Sequence, residues 1–422
     1  MKRLIRTEIA DLPLSGIELV LHVAELYPGL ALGIGEPNFT TPPHIVQAAM
    51  DALEQGKTHY SPDEGLPELR SAIAEKTKND NGFDPDPENE IIVTAGTSPA
   101  LYGAIQTVLE AGDEVIIPTP AYFSYESIVR MFGGEPVHVA GDPEQRFVPS
   151  QDDLATAVSS KTKLLVVCTP NNPTGGVWEK EHLQAALDLA EDHDLLIISD
   201  ELYEKLVYDD VKHHSIASLD NATERTITIN GLSKSHAMTG FRIGWVIAPS
   251  EITTNFCKIH RHSTICAPVI SQEAAIAALR GPQDSVKAMV REYDRRRKMM
   301  VQKINNDVPM MQVQSPKGSF FMFANVKDLI ENRVEDMKSS LMNEGKDLLE
   351  SFPSRLFSTE DLTQSGSLVS MLYLARFARV MAVSGSFFGA GGEGYLRLSF
   401  SQEFNQIEKA IERMARTLDQ LT

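Results

Sequence analysis

Lys234 stands in the run Ser233-Lys234-Ser235-His236-Ala237-Met238-Thr239-Gly240-Phe241-Arg242-Ile243-Gly244. A lysine in a partly buried site near other cations loses its proton and attacks a carbonyl. Arg242 is such a cation in the same run. Asp200 closes the apolar stretch that begins at Leu195, with Tyr203 one helical turn further on. A carboxylate buried there needs a partner. Gly96-Thr97-Ser98 follows Ile91–Thr94 and opens a helical segment. Free N–H groups and hydroxyls at a helix start suit a phosphate. Asn171-Asn172-Pro173-Thr174-Gly175 follows the apolar run ending at Cys168. Each group also has a plainer reading: surface lysine, solvated strand end, helix cap or ordinary turn. Their common placement, each just after an apolar run, favours a shared site, because open α/β sheets bind ligands at the carboxyl ends of their strands.

The elements that would position them are legible in the hydrophobic pattern. Short runs without polar alternation fall at 90–94, 113–117, 163–168, 194–200, 226–229 and 241–246. They read as strands covered on both faces, and helical-period segments separate them. This predicts an α/β fold with three layers and a large, mostly parallel sheet. A long helical stretch is expected from Glu251 to Arg280 and another from Ser285 to Asn305. The pattern then changes to strands near Ser319–Phe323 and Tyr395–Phe400 with helices between, a smaller α+β domain. The first 45 residues are rich in Pro and Gly and are expected to cross the surface to that domain. The expected division is 46–285 for the large domain, and 1–45 with 286–422 for the small one.

Composition excludes more than it selects. The chain has 422 residues, enough for two to three domains at ~150 residues each, with a formal net charge of −19. Such acidity opposes binding to nucleic acid or to an anionic membrane. Cys168, Cys257 and Cys266 show no CxxC spacing, which argues against a disulfide scaffold or zinc knuckle. No signal peptide is read at Met1–Arg6, and no apolar run has the ~18 residues of a membrane span. The expected compartment is the cytoplasm.

Other patterns carry less. Gly389-Ala390-Gly391-Gly392-Glu393-Gly394 matches G-x-G-x-x-G but leads into a strand rather than a helix, so it reads as a glycine turn. His213-His214 and His260-Arg261-His262 lack a carboxylate or cysteine framework at ligand spacing, and no metal is expected.

Taken in order, Gly96-Thr97-Ser98, Asn172-Pro173-Thr174-Gly175, Asp200-Glu201-Leu202-Tyr203, the Lys234 run and Arg397 resemble the class I aminotransferases. These are fold-type I enzymes that use pyridoxal 5′-phosphate. The likeness includes Gly33-Ile34-Gly35-Glu36-Pro37 and Tyr60 to Arg70, covers roughly residues 10 to 415, and is nearest the archaeal and bacterial aspartate/aromatic subgroup. The resemblance implies that Lys234 bonds the cofactor aldehyde and later moves the proton. It implies that Asp200 pairs with the pyridine nitrogen, that Tyr203 and Asn172 bond the ring oxygen, and that Tyr122 stacks on the ring. The Gly96, Thr97 and Ser98 turn, Ser233 and Arg242 would hold the phosphate. Arg397, Asn172 and Gly35 would receive the substrate carboxylate. Tyr60 would reach the phosphate of a neighbouring subunit, which implies a homodimer with shared sites.

The implied reaction moves an amino group from an L-amino acid, aspartate or aromatic, to a 2-oxo acid such as 2-oxoglutarate. A C–S lyase or decarboxylase on the same scaffold is the alternative. The chain departs from the subgroup at three places. Ser98 replaces the lysine of bacterial aspartate-specific enzymes, and His236 replaces a tyrosine or phenylalanine. Ser384 replaces the proline of a Pro-Gly-Ser-x-Phe-Gly motif. Residues 335–379 are longer than usual and read as an exposed excursion, or as a partner or lid element.

Overall fold

A computed structural model describes residues 5–6, 9, 12, 16–26, 29–353 and 357–421. In chain order the strands are β1 (Leu30–Ala31), β2 (Ile91–Thr94), β3 (Glu114–Thr119), β4 (Glu135–Ala140), β5 (Thr162–Cys168), β6 (Leu196–Asp200), β7 (Thr226–Gly231) and β8 (Gly244–Ile247). There follow β9 (Gln312–Val313), β10 (Phe321–Asn325), β11 (Val380–Met381), β12 (Val383–Ser384) and β13 (Tyr395–Ser399). The large sheet has the order β2-β8-β7-β6-β5-β3-β4, and only β8 runs against the rest. A second sheet, β12-β13-β10-β9, is antiparallel.

Strand side chains alternate between faces, and both faces of the large sheet are covered. Ile92, Val115, Ile117, Leu164, Val166, Ile198 and Val246 pack with the helices Thr97–Val108 and Ser250–Ser263. Ile116, Leu165, Val167 and Ile197 face the helix Lys180–Asp192 instead. Ile91, Val93, Trp245 and Ile247 face the helices Pro43–Glu54, Pro67–Lys76 and Val269–Arg280. This is the expected three-layer α/β arrangement. The C-terminal helix Phe404–Asp419 buries Ile407, Ile411, Met414 and Leu418 at helical spacing against the small sheet. Burying each such side chain fully contributes about 1.5–3 kcal/mol.

Four expectations change. The sequence reading does not contain strand β4: Glu-Pro-Val-His-Val-Ala is a partly exposed edge strand, a position that tolerates a proline. The stretch 251–280 is two helices, Ser250–Ser263 and Val269–Arg280. Ile265 adopts φ +68° in the break and Pro268 starts the second helix. The N-terminal segment is not featureless. The helix Gly16–Leu26 inserts Leu19, Val20 and Val23 into the small-sheet core, and β1 pairs parallel with β11. Within 335–379, the described residues are not an exposed excursion. Helices Lys327–Asn343, Lys346–Ser351, Asp361–Gln364 and Gly366–Tyr373 bury Met337, Leu341, Leu348, Leu362 and the run Ser367–Tyr373. Charged residues at 335–350 mark only the outer faces of helices whose inner faces are core. The Gly389–Gly394 run is a turn entering β13, as its context suggested.

Candidate active site

The carboxyl ends of β5, β6 and β7 lie side by side, and in α/β sheets such ends open onto a crevice. The loops leaving β5, β6 and β7 deliver Asn172, Tyr203, Ser233 and Lys234, while Asp200 is the last residue of β6. Together with Gly35, Thr97, Ser98, Tyr122, Arg242 and Arg397 they line one cavity of about 320 Å³. Gly96 adjoins it through Arg242. Tyr60 does not line the cavity; its side chain stands 80% exposed on the surface of this chain.

Asp200 is held at both oxygens. Tyr125 donates its hydroxyl to Oδ2 at 2.8 Å, and the Leu202 N–H reaches Oδ1 at 3.2 Å. Burial raises the Asp200 pKa, and these two hydrogen bonds oppose that rise. Lys234 Nζ donates to the Gly35 carbonyl at 2.7 Å. Burial holds the lysine down at about 8, helped by the nearby Arg397 and Arg242 charges and opposed by Glu36 and Asp200. A lysine near pH 8 is readily available as a neutral nucleophile and base.

Arg397 comes from β13 and is 4% exposed. Its Nη1 donates to Asn172 Oδ1 at 2.9 Å and its Nη2 to the Gly33 carbonyl at 2.8 Å, while its buried Nε has no partner among the described residues. The guanidinium lies over Phe321 and Phe388, 4.4 and 5.0 Å from the ring centroids. Burial lowers its pKa to about 10, so it stays charged at neutral pH. A buried cation with only neutral acceptors is costly unless an anion completes it.

At the other end, Gly96 has φ +91° and precedes the helix Thr97–Val108. A Cβ there would come within 2.5 Å of Arg242 Nη2. Glycine thus lets the guanidinium close on a helix N-terminus, whose first N–H groups have no intrahelical acceptor. Arg242, itself at φ +52°, also donates Nη1 to the Thr239 carbonyl at 3.1 Å. Such a set of donors fits a phosphate. Tyr203 is buried with its ring edge-on to Phe320 and Phe321, and burial raises its hydroxyl pKa well above 10. The donor set therefore fits pyridoxal phosphate: an anion cradle, a lysine, and a buried carboxylate for the ring nitrogen.

Sequence reasoning missed Tyr125 and Cys168. Tyr125 sits in the first turn of the helix Ser124–Met131, close after Tyr122, and only the fold shows which of the two reaches Asp200. Cys168 ends β5 in register with Asp200 and lines the cavity; burial pushes its thiol up to about 12, so it stays protonated. The view of His213 as lacking nearby carboxylates is also corrected. Side-chain ligand atoms of Glu201, Glu204 and His213 lie within 4.8 Å of one another, although the sequence spreads them over 201–213. Lys76 and Asn81 already bond Glu204, and Ser199 and Ser215 bond Glu201, so the group is an internal ion-pair network.

The family model for aminotransferase class I and II matches residues 27–414. The chain is similar to the aspartate aminotransferase of Pyrococcus abyssi, with 42% identity over 92% of this chain and 91% of that one. It is 40% identical to aromatic-amino-acid aminotransferase 2 of Thermococcus litoralis, over 96% of this chain and 95% of that one. Among solved structures, the aspartate aminotransferase of Thermus thermophilus with maleate superposes with a TM-score of 0.83 at 34% identity, over 98% of this chain and all of that one (100%). The lysine, carboxylate and arginine gathered at the strand ends and this likeness along nearly the whole chain lead to one conclusion: the chain belongs to the class I and II aminotransferases, enzymes that depend on pyridoxal 5′-phosphate.

Proposed function

We propose that this aminotransferase takes the amino group of aspartate or an aromatic L-amino acid and passes it to a 2-oxo acid such as 2-oxoglutarate. The observation that carries the reading is Arg397, a buried guanidinium whose hydrogen bonds among the described residues go to the neutral oxygens of Asn172 and Gly33. A substrate α-carboxylate completes it bidentately and so fixes the direction of the Cα–H bond. When bound, the cofactor supplies an electron sink for the carbanion at Cα. Lys234 would hold the cofactor, and its freed amine would take the proton from the substrate Cα and deliver it to the cofactor's aldehyde carbon. Asp200, oriented by Tyr125, balances charge at the ring nitrogen. Tyr203 and Asn172 would hold the ring oxygen, and Tyr122 would cover the ring face. Thr97, Ser98, Ser233, Arg242 and the Gly96 turn bind the phosphate. The Gly35 carbonyl accepts a hydrogen bond from Lys234 Nζ.

Leu101, Phe123 and Phe321 give the cavity apolar walls, and Ser98 adds a neutral hydroxyl. Such walls suit an aromatic side chain at least as well as a second carboxylate. The enzyme works as a homodimer in the cytoplasm. The support is an apolar surface made of Val46, Met50 and Leu53 at helical spacing, with exposed Tyr60 and Ile265 on segments joined through Arg261–Asp63 and Gln272–Ser61 contacts. A hydrophobic stripe of this kind marks an interface. Among the described residues no helix is long and apolar enough to cross a membrane.

A panel of amino acids against 2-oxoglutarate, scored by kcat/KM, tests the function. Turnover that requires the 2-oxo acid supports transamination. Release of ammonia or carbon dioxide without an acceptor would replace it with a lyase or decarboxylase. Sedimentation equilibrium tests the dimer, and mixing Tyr60→Ala with Lys234→Ala chains tests shared sites, since only hybrid dimers can assemble one intact site.

A further inference from the structure

The loop carrying Lys234 separates two cavities. Ser233 and Lys234 line the active-site cavity, while Ser235 and His236 line a second of about 860 Å³ behind it. The rear cavity is walled by the helix Pro67–Lys76, by Trp245 and by the start of the helix Asp284–Asp307. Ser235 and His236 border that space yet are each only 4% exposed. The loop is also strained. Ala237 and Arg242 both have φ +52°, a left-handed conformation that non-glycine residues keep only where their surroundings over-determine it. From the front, Thr41 Oγ1 donates to the Ala237 carbonyl at 2.6 Å.

From the rear the tie is His236, and its proton arrangement follows from its neighbours. Gln283 Nε2 donates to the Ala278 and Gly281 carbonyls at 2.8 and 2.9 Å. The amide therefore turns its oxygen to the imidazole, 3.2 Å from His236 Nε2. That oxygen only accepts, so Nε2 carries the proton. Nδ1 is then the acceptor for Ser235 Oγ at 2.9 Å. Both nitrogens are satisfied in the neutral ring, and burial keeps it neutral by lowering its pKa to about 4. Gln283 immediately precedes the helix Asp284–Asp307, whose Val286, Met289 and Tyr293 belong to the small-sheet core.

We propose that His236 is a positioning residue for Lys234: as the Nε2–H tautomer it clamps the strained lysine loop to Gln283 across the rear cavity. The proposal rests on Lys234 being the reactive amine. His236→Phe keeps an aromatic ring in the buried position, so the fold should survive, but both hydrogen bonds go. Expected results in the full-length holoenzyme are a kcat lower by about tenfold to a hundredfold, as for a reacting group displaced by up to about 1 Å, with KM for the amino donor nearly unchanged. The midpoint of the pH titration of the bound cofactor's visible absorbance should move. Amide exchange of residues 235–237 should speed up, in the cofactor-free chain as well. His236→Gln, which keeps an N–H toward Gln283, should restore most of each loss. Because His236→Phe and Gln283→Leu break the same bond, the double variant should lose less than the product of the two single losses. Wild-type loop exchange and an unmoved titration midpoint in His236→Phe would overturn the clamp, even if kcat fell. If instead Lys234→Ala keeps full turnover, the assignment of the lysine fails, whereas the exchange measurement still reports on the clamp alone.

Discussion

Tyr125 donates its hydroxyl to Asp200 Oδ2 across 2.8 Å, with its own side chain fully enclosed by the core beneath the large sheet. The bond lowers the pKa of a carboxyl that burial raises. Tyr125→Phe removes it without changing the packed ring. A hydrogen bond to a charged group is worth about 1.5–3 kcal/mol, or about tenfold to a hundredfold. Cofactor affinity and kcat/KM should fall by that order, with Tm little changed. Equilibrium dialysis of the cofactor and steady-state kinetics check it.

Lys234 makes the cofactor-free protein pH-sensitive in a stated direction. Its folded pKa of about 8 lies below the ordinary 10.5. The buried charge therefore costs stability below pH 8, and the cost disappears as pH rises from 8 to 10.5. The shift corresponds to about 3 kcal/mol. Cofactor-free Lys234→Met should be more stable than wild type at pH 7, and the gap in Tm should close toward pH 10.5. A constant gap would mean the lysine is not buried as a charge.

Arg397→Lys keeps the charge but loses the planar fork. Losing one hydrogen bond to a charged group costs about 1.5–3 kcal/mol. The kcat/KM for amino acids should drop about tenfold to a hundredfold, while the slow reaction of a simple amine, which has no carboxylate, stays near the wild-type rate. Equal losses for both substrates would show that the arginine supports the fold rather than the carboxylate.

Gly96→Ala puts a Cβ within 2.5 Å of Arg242 Nη2 at a backbone φ of +91°. Both the clash and the left-handed strain act on the phosphate cradle. The variant should weaken cofactor binding at least tenfold while retaining its far-UV circular dichroism. Inorganic phosphate should protect it from heat less than it protects wild type.

The reading from residue types reached most of the site because its members follow apolar strands, and strand ends in an α/β fold converge. Asp200, Lys234 and Asn172 were placed that way, and the resemblance added Arg397 and Tyr122. Contacts that depend on three-dimensional closure stayed hidden. Nothing in the spacing of Tyr125 and Asp200 predicts a bond across 75 positions, nor that Gln283 would turn its oxygen to His236. Helix boundaries failed where one residue decided them, as at Ile265. The edge strand Glu135–Ala140 was missed because exposure on one side erases the continuous apolar signal. The 335–379 region misled because amphipathic helices on a domain's rim show as many charges as a loop does.

Arg397 and Lys234 lean on carbonyl oxygens two residues apart, those of Gly33 and Gly35. The two cations thus share one mooring on a short piece of N-terminal backbone that follows directly on β1. Nε of Arg397 is the group left over for an anion, so the Gly33 tie need not break when one arrives. Any reagent that takes the Lys234 amine must instead draw it off Gly35, so the two ends of this mooring answer to different ligands.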